Sequence, residues 1–403
     1  MSSSSPRSAP SPSHLLRTHQ APVNALCFSD DNERLYSGDQ SGTAIITSTR
    51  TLRPLASWRP HTDGILGIQE WNGMIFTHGR DNKLHVWRVP SEGTTKLREG
   101  AAPLGLPTPE LQYSMDVNAL NFCRFSLMPL RNEERTEDVQ ALIAIPNLVE
   151  SSLADIWTFP SQKRIHAAIG KGGQTEMPSD GRGINSLGII MSMHLLEHVH
   201  PNSSGDTQLR LLCAYENGSV TMWGYMRKGK PISIEGIGWD PLWTAKVHVE
   251  SVMATAVSRD RTFALSASAD HLIGRYDLVN TRSSEDSKTT CTVYRIKNPG
   301  NGAIAIRDDG RVCAIGGWDG KVRLYSTKSL KPLGSLDYHK KNAQSVAFAR
   351  SFDGTLAASD SQDGNNSDDE MTEDEKEERS RWLAVGSMDN RVTIWPLISF
   401  EKT

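Results

Sequence analysis

The chain has 403 residues, of which 37% are hydrophobic and 7% aromatic, and carries a formal charge of −3 at neutral pH. It is too long for one ordinary core and too lean in apolar residues for one large core, which suits repeats that share their core with neighbours. The slightly acidic balance argues against a general nucleic-acid-binding face, whose footprint would be basic, and no apolar run is long enough to span a bilayer.

Residues 1–13, MSSSSPRSAPSPS, are rich in Ser and Pro and lack the apolar stretch of a signal peptide. They offer little to bury against the entropy of ordering, so a disordered segment is expected, and a phosphorylated tail or a plain flexible one both fit. His14-Leu15-Leu16-Arg17 then reads as a short strand before His19. The first repeat runs through Val23–Phe28, Arg34–Ser37 and Gly42–Ile46.

The stretch from His61 to Trp87, HTDGILGIQEWNGMIFTHGRDNKLHVW, holds the fullest copy of the repeat. A strand around Ile65–Gln69 leads to Asn72-Gly73, a two-residue hairpin signal, and then to a second strand at Ile75–Thr77. A tight turn through Asp81 precedes a third strand ending at Trp87. His61, Thr77, Asp81 and Trp87 stand where the WD40 repeat, which this stretch resembles, hydrogen-bonds its His, Ser/Thr, Asp and Trp across one blade. Buried polar groups of these types are costly unless they satisfy one another, so a closed network is expected to fix the turn. In the first repeat the Asp position holds Ser41 and the Trp position Thr47, so a complete network is not expected there.

Ser91–Pro109 reads as an insertion, and repeat three is expected to begin at Asp116-Val117-Asn118-Ala119-Leu120 and to end at Trp157. Repeat four ends at Trp223. Repeat five carries His248, Ser266, Asp270 and Tyr276 at the four network positions, with Tyr replacing Trp. Repeat six ends at Tyr325, and repeat seven opens at His339 and ends at Asp389 through Trp395. Seven endings predict an all-β, seven-bladed WD40 propeller over residues 14–403, in which the N-terminal strand completes the last blade, as it does in that family, and so removes an exposed sheet edge.

The sharpest composition shift is residues 360–381, with ten Asp or Glu against three Lys or Arg. A solvated, disordered insertion in the last blade is expected, although Glu375 and Arg379 are spaced to pair across a helical turn. Ser367-x-x-Glu370 and Thr372-x-x-Glu375 suit an acidophilic kinase. A loop without a dedicated role and a docking arm for a basic partner both fit this composition.

Catalytic motifs are poorly supported. His194-Leu195-Leu196-Glu197-His198 matches the H-x-x-E-H zinc pattern, but that pattern needs a helix to bring both imidazoles to one face, and the flanks predict strands. Gly224–Lys230 resembles a phosphate loop, yet Pro231 stands where Ser or Thr must bind magnesium, so an inter-blade connection is expected. No cofactor or metal is implied. The five cysteines are widely spaced and include no C-x-x-C pair, which predicts buried, reduced thiols and a cytosolic or nuclear protein.

The turn before each network Asp is where propellers expose side chains. Trp318 holds that place in repeat six, and Arg80, Ala269 and Met388 hold it elsewhere; Trp318, with Arg80 and Met388, is the partner-binding candidate. Packing of Trp318 over its own hairpin is the competing reading. Trp239 and Trp243, around Asp240-Pro241, fit either an interface or a loop core, with loop core expected.

Several longer blocks resemble one family, ASTRA-associated protein 1 of fungi, itself similar to a G-protein-β-like WD-repeat protein in animals. They include APVNALCFSDDNERLYSGDQSG (21–42), IAIPNLVESSLADIWTFPSQKRIHA (143–167), GGWDGKVRLYSTKSLKPLGSLDYHK (316–340) and LAVGSMDNRVTIWPL (383–397). The resemblance implies a non-catalytic scaffold subunit of the ASTRA assembly, linked to chromatin remodelling and to maturation of phosphatidylinositol-3-kinase-related kinases. It further implies partners among kinase-maturation chaperones and a large kinase-like subunit, and a nuclear, with some cytoplasmic, location. The alternative, a substrate receptor of a cullin-type ubiquitin ligase, typically uses a W-D-x-R ending, and the endings after Trp87, Trp157, Trp223 and Trp395 lack it. A G-protein-β-like dimer would need N-terminal heptads, which residues 1–13 do not supply.

Overall fold

A computed structural model describes residues 11–89, 106–120, 122–171, 187–199, 207–227, 229–280, 290–352 and 371–397. Seven four-stranded antiparallel sheets follow one another around a ring. Blade 1 comprises Val23–Phe28, Arg34–Asp39, Ala44–Ser48 and Pro54–Trp58, and blade 2 comprises Ile65–Trp71, Met74–Gly79, Lys83–Arg88 and Glu110–Asp116. Blade 3 is built from Ser126–Pro129, Val139–Pro146, Ala154–Pro160 and Arg164–Ile169, and blade 4 from Ile190–Val199, Thr207–Tyr215, Ser219–Tyr225 and Trp239–Lys246. Blades 5 and 6 begin at Val252–Val257 and Asn301–Ile306.

Blade 7 takes three strands from the C-terminal part, Ala343–Phe348, Trp382–Ser387 and Val392–Pro396, and its fourth, His14–Leu16, from the N-terminal part. His14, Leu15 and Leu16 pair with Ile394, Thr393 and Val392, and the Ser13 N–H adds a bond to the Ile394 carbonyl at 2.9 Å. The ring thus closes with non-local pairing, and the third strand of the last blade is covered by the N-terminal one. Of the segment expected to be disordered, Ser13 takes part in that closure, and residues 1–10 lie outside the described residues.

The core consists of seven interfaces between neighbouring sheets. One joins Ala25, Ile46 and Trp58 of blade 1 to Ile65, Ile75 and Trp87 of blade 2, and another joins Leu26, Phe28 and Leu35 of blade 1 to Trp382 and Ile394 of blade 7. Blade strands therefore bury both faces, which is why their second strands read as nearly continuous apolar or small runs, as in Phe263–Ser268 and Val312–Gly317.

Four local readings change. Val117–Leu120 repeats the V-N-A-L of the first strand of blade 1, yet it forms the connection into blade 3, whose first strand is Ser126–Pro129. Trp239 and Trp243 lie on the outer strand of blade 4, with Trp243 stacked on Tyr276 of blade 5 at 5.5 Å. Gly224 and Tyr225 belong to a strand, and the Met226–Gly238 stretch that follows connects two strands of the same blade. The acidic insertion is not disordered throughout: Glu373–Ser380 is an α-helix. Thr372 caps it reciprocally with Glu375, which satisfies N–H groups at the helix start. Arg379 is buried, 4.7 Å above the Trp382 ring, and pairs with Glu378 at 2.9 Å, while Glu375 faces Arg50 at 3.9 Å. Residues 360–370, including Ser367, lie outside the described residues.

Candidate functional site: the polar blade centres and the turn rim

Blade 2 carries its four network residues in one directional chain. The Trp87 indole N–H donates to the Thr77 hydroxyl at 2.9 Å, Thr77 lies 3.0 Å from His61 Nε2, and His61 Nδ1 lies 2.8 Å from Asp81. An indole only donates and a carboxylate only accepts, so the chain runs from Trp87 to Asp81 through a neutral imidazole protonated at Nδ1. Asp81 also accepts the Thr62 N–H at 2.9 Å, which ties the turn to the connection entering the blade. Blade 5 repeats the arrangement: Tyr276 meets Ser266 at 2.9 Å, Ser266 meets His248 at 2.7 Å, and His248 meets Asp270 at 3.1 Å. Gly274 is required there, because a Cβ would sit 2.4 Å from the Tyr276 hydroxyl.

Blade 7 builds the same chain from a different strand. His339 lies 2.9 Å from both Asp389 and Thr393, and Trp395 donates to Thr393 at 2.9 Å. Its hydroxyl thus comes from the third strand, directly opposite Val385. The pairing of second and third strands shows what sets this. The central pairs are Ser37 with Ile45, Thr77 with His85, Ile145 with Asp155, Cys213 with Thr221, Ser266 with Gly274, Ile315 with Arg323, and Val385 with Thr393. Where the second strand is aliphatic or Cys, the third supplies a polar group, so every blade centre holds at least one. In blade 6 Arg323 reaches Asp319 at 3.1 Å. In blade 3 the buried Asp155 accepts from Asn147 at 2.9 Å and from the Ala168 N–H at 2.8 Å, and pairs with Arg164 at 3.3 Å.

Burial sets the protonation of these groups. It holds the imidazoles of His61, His248 and His339 below their ordinary value despite the neighbouring carboxylates. His85, stacked on His61 with ring centroids 4.8 Å apart, is lowered by burial and by His61 to about 4. Burial alone would raise the Asp81 carboxyl, but the Thr62 N–H and His61 hold it below the usual range. His61, Asp81 and His85 place ligand-type atoms within 4.8 Å of one another. Both His61 nitrogens are committed and the two rings lie face to face, so the trio is arranged for hydrogen bonding and stacking rather than for convergent ligation of a metal. His194 and Glu197 of the H-x-x-E-H sequence lie on one strand, Ile190–Val199. His194 meets the Thr255 carbonyl at 3.0 Å and Glu197 meets Arg131 at 2.9 Å, so the two serve contacts with neighbouring blades. All five cysteines are free, and burial pushes their thiols up, away from nucleophilic character.

The residues preceding the network Asp form one rim. Their N–H groups reach the connection entering the same blade: Arg80 to Gly64 at 2.9 Å, Trp318 to Gly300 at 2.7 Å, and Met388 to Asn342 at 2.9 Å. Trp318 is 45% exposed and lies on Gly300 and Gly302, where a Cβ would fall 3.0 and 3.1 Å from its ring. It packs over its own blade and still presents a face outward. Arg80 is exposed above the Phe122 ring at 5.1 Å, and Met388 is half-buried.

Residues 10–47 match the family described as WD domain, G-beta repeat. Over nearly the whole chain, the protein is similar to "ASTRA-associated protein 1" of Verticillium alfalfae, with 33% identity covering 96% of this chain and 93% of that protein. The namesake from Penicillium rubens is 30% identical over 97% of this chain and 98% of its own length, and that from Schizosaccharomyces pombe 28% identical over 84% and 93%. The chain belongs to the ASTRA-associated protein 1 family.

In this member of the ASTRA-associated protein 1 family, the most informative residues missed by the repeat reading sit at blade centres. Asp39 stands two residues before the expected position, yet it meets His19 at 2.8 Å while His19 meets Ser37 at 2.7 Å. Blade 1 is therefore held by a His–Ser–Asp network after all, with Ser41 donating to Asp39 at 2.7 Å instead of replacing it. The signal was available: His19 and Ser37 match His61 and Thr77, and an Asp lay within reach. Thr393 and Asp155 share a second signal, a polar residue two places before the terminal Trp.

Proposed function

We propose that the chain is a scaffold subunit of the ASTRA assembly, without chemistry of its own, which supports chromatin remodelling and the maturation of phosphatidylinositol-3-kinase-related kinases in the nucleus. The observation that carries the reading is the full-length likeness to relatives bearing the ASTRA-associated name, joined to a ring whose His, Ser/Thr and Asp groups are spent on one another inside the blades. A rigid ring with loop-bearing rims is suited to presenting several surfaces at once. On this reading the partners are the kinase-maturation chaperones and a large kinase-like subunit, and the contacts are made by rim and loop residues.

The test is quantitative co-purification of the tagged full chain from nuclear extract, with proteins identified by mass spectrometry. Recovery of those chaperones with a large kinase-like protein is expected. Recovery of a cullin-ligase adaptor in their place would overturn the assignment and favour a substrate receptor.

A further inference from the structure

The rim is uneven. Across the junction of blades 2 and 3 it carries Leu120, Phe122, Leu148 and Val149, which are 64%, 47%, 52% and 89% exposed. These side chains project from connections held by a buried polar frame. Asn118, 4% exposed, donates to the Asn147 carbonyl at 2.6 Å and accepts from the Leu120 N–H at 2.7 Å and from Ser151 at 3.2 Å. Asn147 in turn accepts the N–H groups of Val149 and Glu150 at 3.1 and 3.0 Å and donates to Asp155. A frame of this kind fixes the apolar groups before any partner arrives, which lowers the ordering cost of binding.

Beside Leu148 a cleft of about 550 Å³ opens, walled by Met115, Ile145 and Trp157 together with Asp155 and Arg164. The Trp157 indole N–H is buried and has no acceptor among the described residues, so Trp157 meets the cleft with apolar ring surface. The charges lining the cleft are paired: Asp116 meets Lys83 at 2.5 Å and Arg164 meets Asp155 at 3.3 Å. Arg80 stands over Phe122 with no carboxylate partner among the described residues, and the Val117 N–H bond to Asn82 at 3.0 Å ties its turn to this same edge.

We propose that the junction of blades 2 and 3 docks a protein segment that offers one large apolar side chain with a carboxylate close to it in sequence. The side chain enters the cleft against Leu148 and Trp157, and the carboxylate meets Arg80. Apolar anchoring beside a single unbalanced charge gives both affinity and register. The proposal rests on the platform reading and specifies the chemistry of one of its partners.

The experiment selects a phage-displayed library of random linear peptides on the immobilised full chain, then measures a selected peptide by fluorescence anisotropy. Enriched peptides should pair a bulky apolar residue with Asp or Glu, and binding should weaken about tenfold in Arg80→Glu and in Val149→Asp, both at exposed positions, with Leu333→Ser, on the exposed outer strand of blade 6, unaffected. Unchanged thermal midpoints in these variants keep the losses attributable to the surface. Enriched peptides without carboxylates, binding indifferent to Arg80→Glu, or no enrichment at all would overturn the proposal. If the intact chain still recovers its assembly while the peptides fail, this surface falls and the platform reading stands.

Discussion

Blade 2 closes its centre with Trp87, Thr77, His61 and Asp81 in one hydrogen-bonded chain. Blade 3, packed against it, has Ile145 in place of Thr77, Asp155 in place of His85, and an indole, Trp157, with no acceptor among the described residues. The two sheets share one apolar interface, through Phe76, Val86, Phe125 and Phe159, so the ring does not depend on the network being repeated in every blade. What differs is where the polar groups lead. In blade 2 they hold a short turn tightly; in blade 3 they brace longer connections that push apolar side chains outward. Departure from the repeat thus goes with accessible surface.

The largest effect is expected from breaking a complete centre. Asp81→Ala leaves the buried His61 N–H and the Thr62 N–H without their acceptor and should cost about 2–4 kcal/mol, read as a lowered denaturant midpoint. Next, Thr393→Val removes the hydroxyl that serves both Trp395 and His339 in blade 7 and should cost about 1–3 kcal/mol. Adding Val385→Thr, directly across the pair, should restore part of that loss; no recovery would mean that the two strands are not interchangeable sources of the hydroxyl.

Acid should act through the buried imidazoles, those of the complete centres together with His78, His166 and His194. An unfolded imidazole titrates near 6.5, and His61, His85, His248 and His339 are all held lower in the fold. The unfolded chain therefore binds protons first, so this stability is full above about pH 6.5 and is lost as the pH falls toward the lowered values. The thermal midpoint should be flat from pH 7 to 8 and should decline below about 6.5; a midpoint that rises on acidification would contradict neutral imidazoles. The smallest effect is expected at Trp318→Ala. Its ring rests half-exposed on Gly300 and Gly302, so the loss should stay below about 1 kcal/mol.

The architecture was legible because the terminal residues Thr47, Trp87, Trp157, Trp223, Tyr276, Tyr325 and Trp395 each lie in the third strand of a different blade. Local pattern failed where tertiary context chose between equal sequences. V-N-A-L is a strand at Val23 and a connection at Val117, since Asn118 is bound to a neighbouring turn through Asn147 and Ser151. The helix Glu373–Ser380 was masked by its charge, which favours a solvated reading until Arg379 finds the Trp382 ring. The blade centres were read as one motif with substitutions, whereas the polar group can come from either of two facing strands. Surface chemistry was least legible. Leu120 and Leu148 resemble core residues in sequence, and only the frame around Asn118 places them outside.

Arg80 and Asp81 are adjacent in one turn, yet the account gives them opposite tasks, so one paired measurement tests it most directly. Thermal midpoint and partner recovery would be measured side by side for Arg80→Glu and Asp81→Ala in the full chain. Arg80→Glu is predicted to keep the wild-type midpoint while losing a co-purifying partner, and Asp81→Ala to lower the midpoint by several degrees. Equal loss of stability in both, or full recovery of every partner with Arg80→Glu, would contradict the division between blade centre and rim.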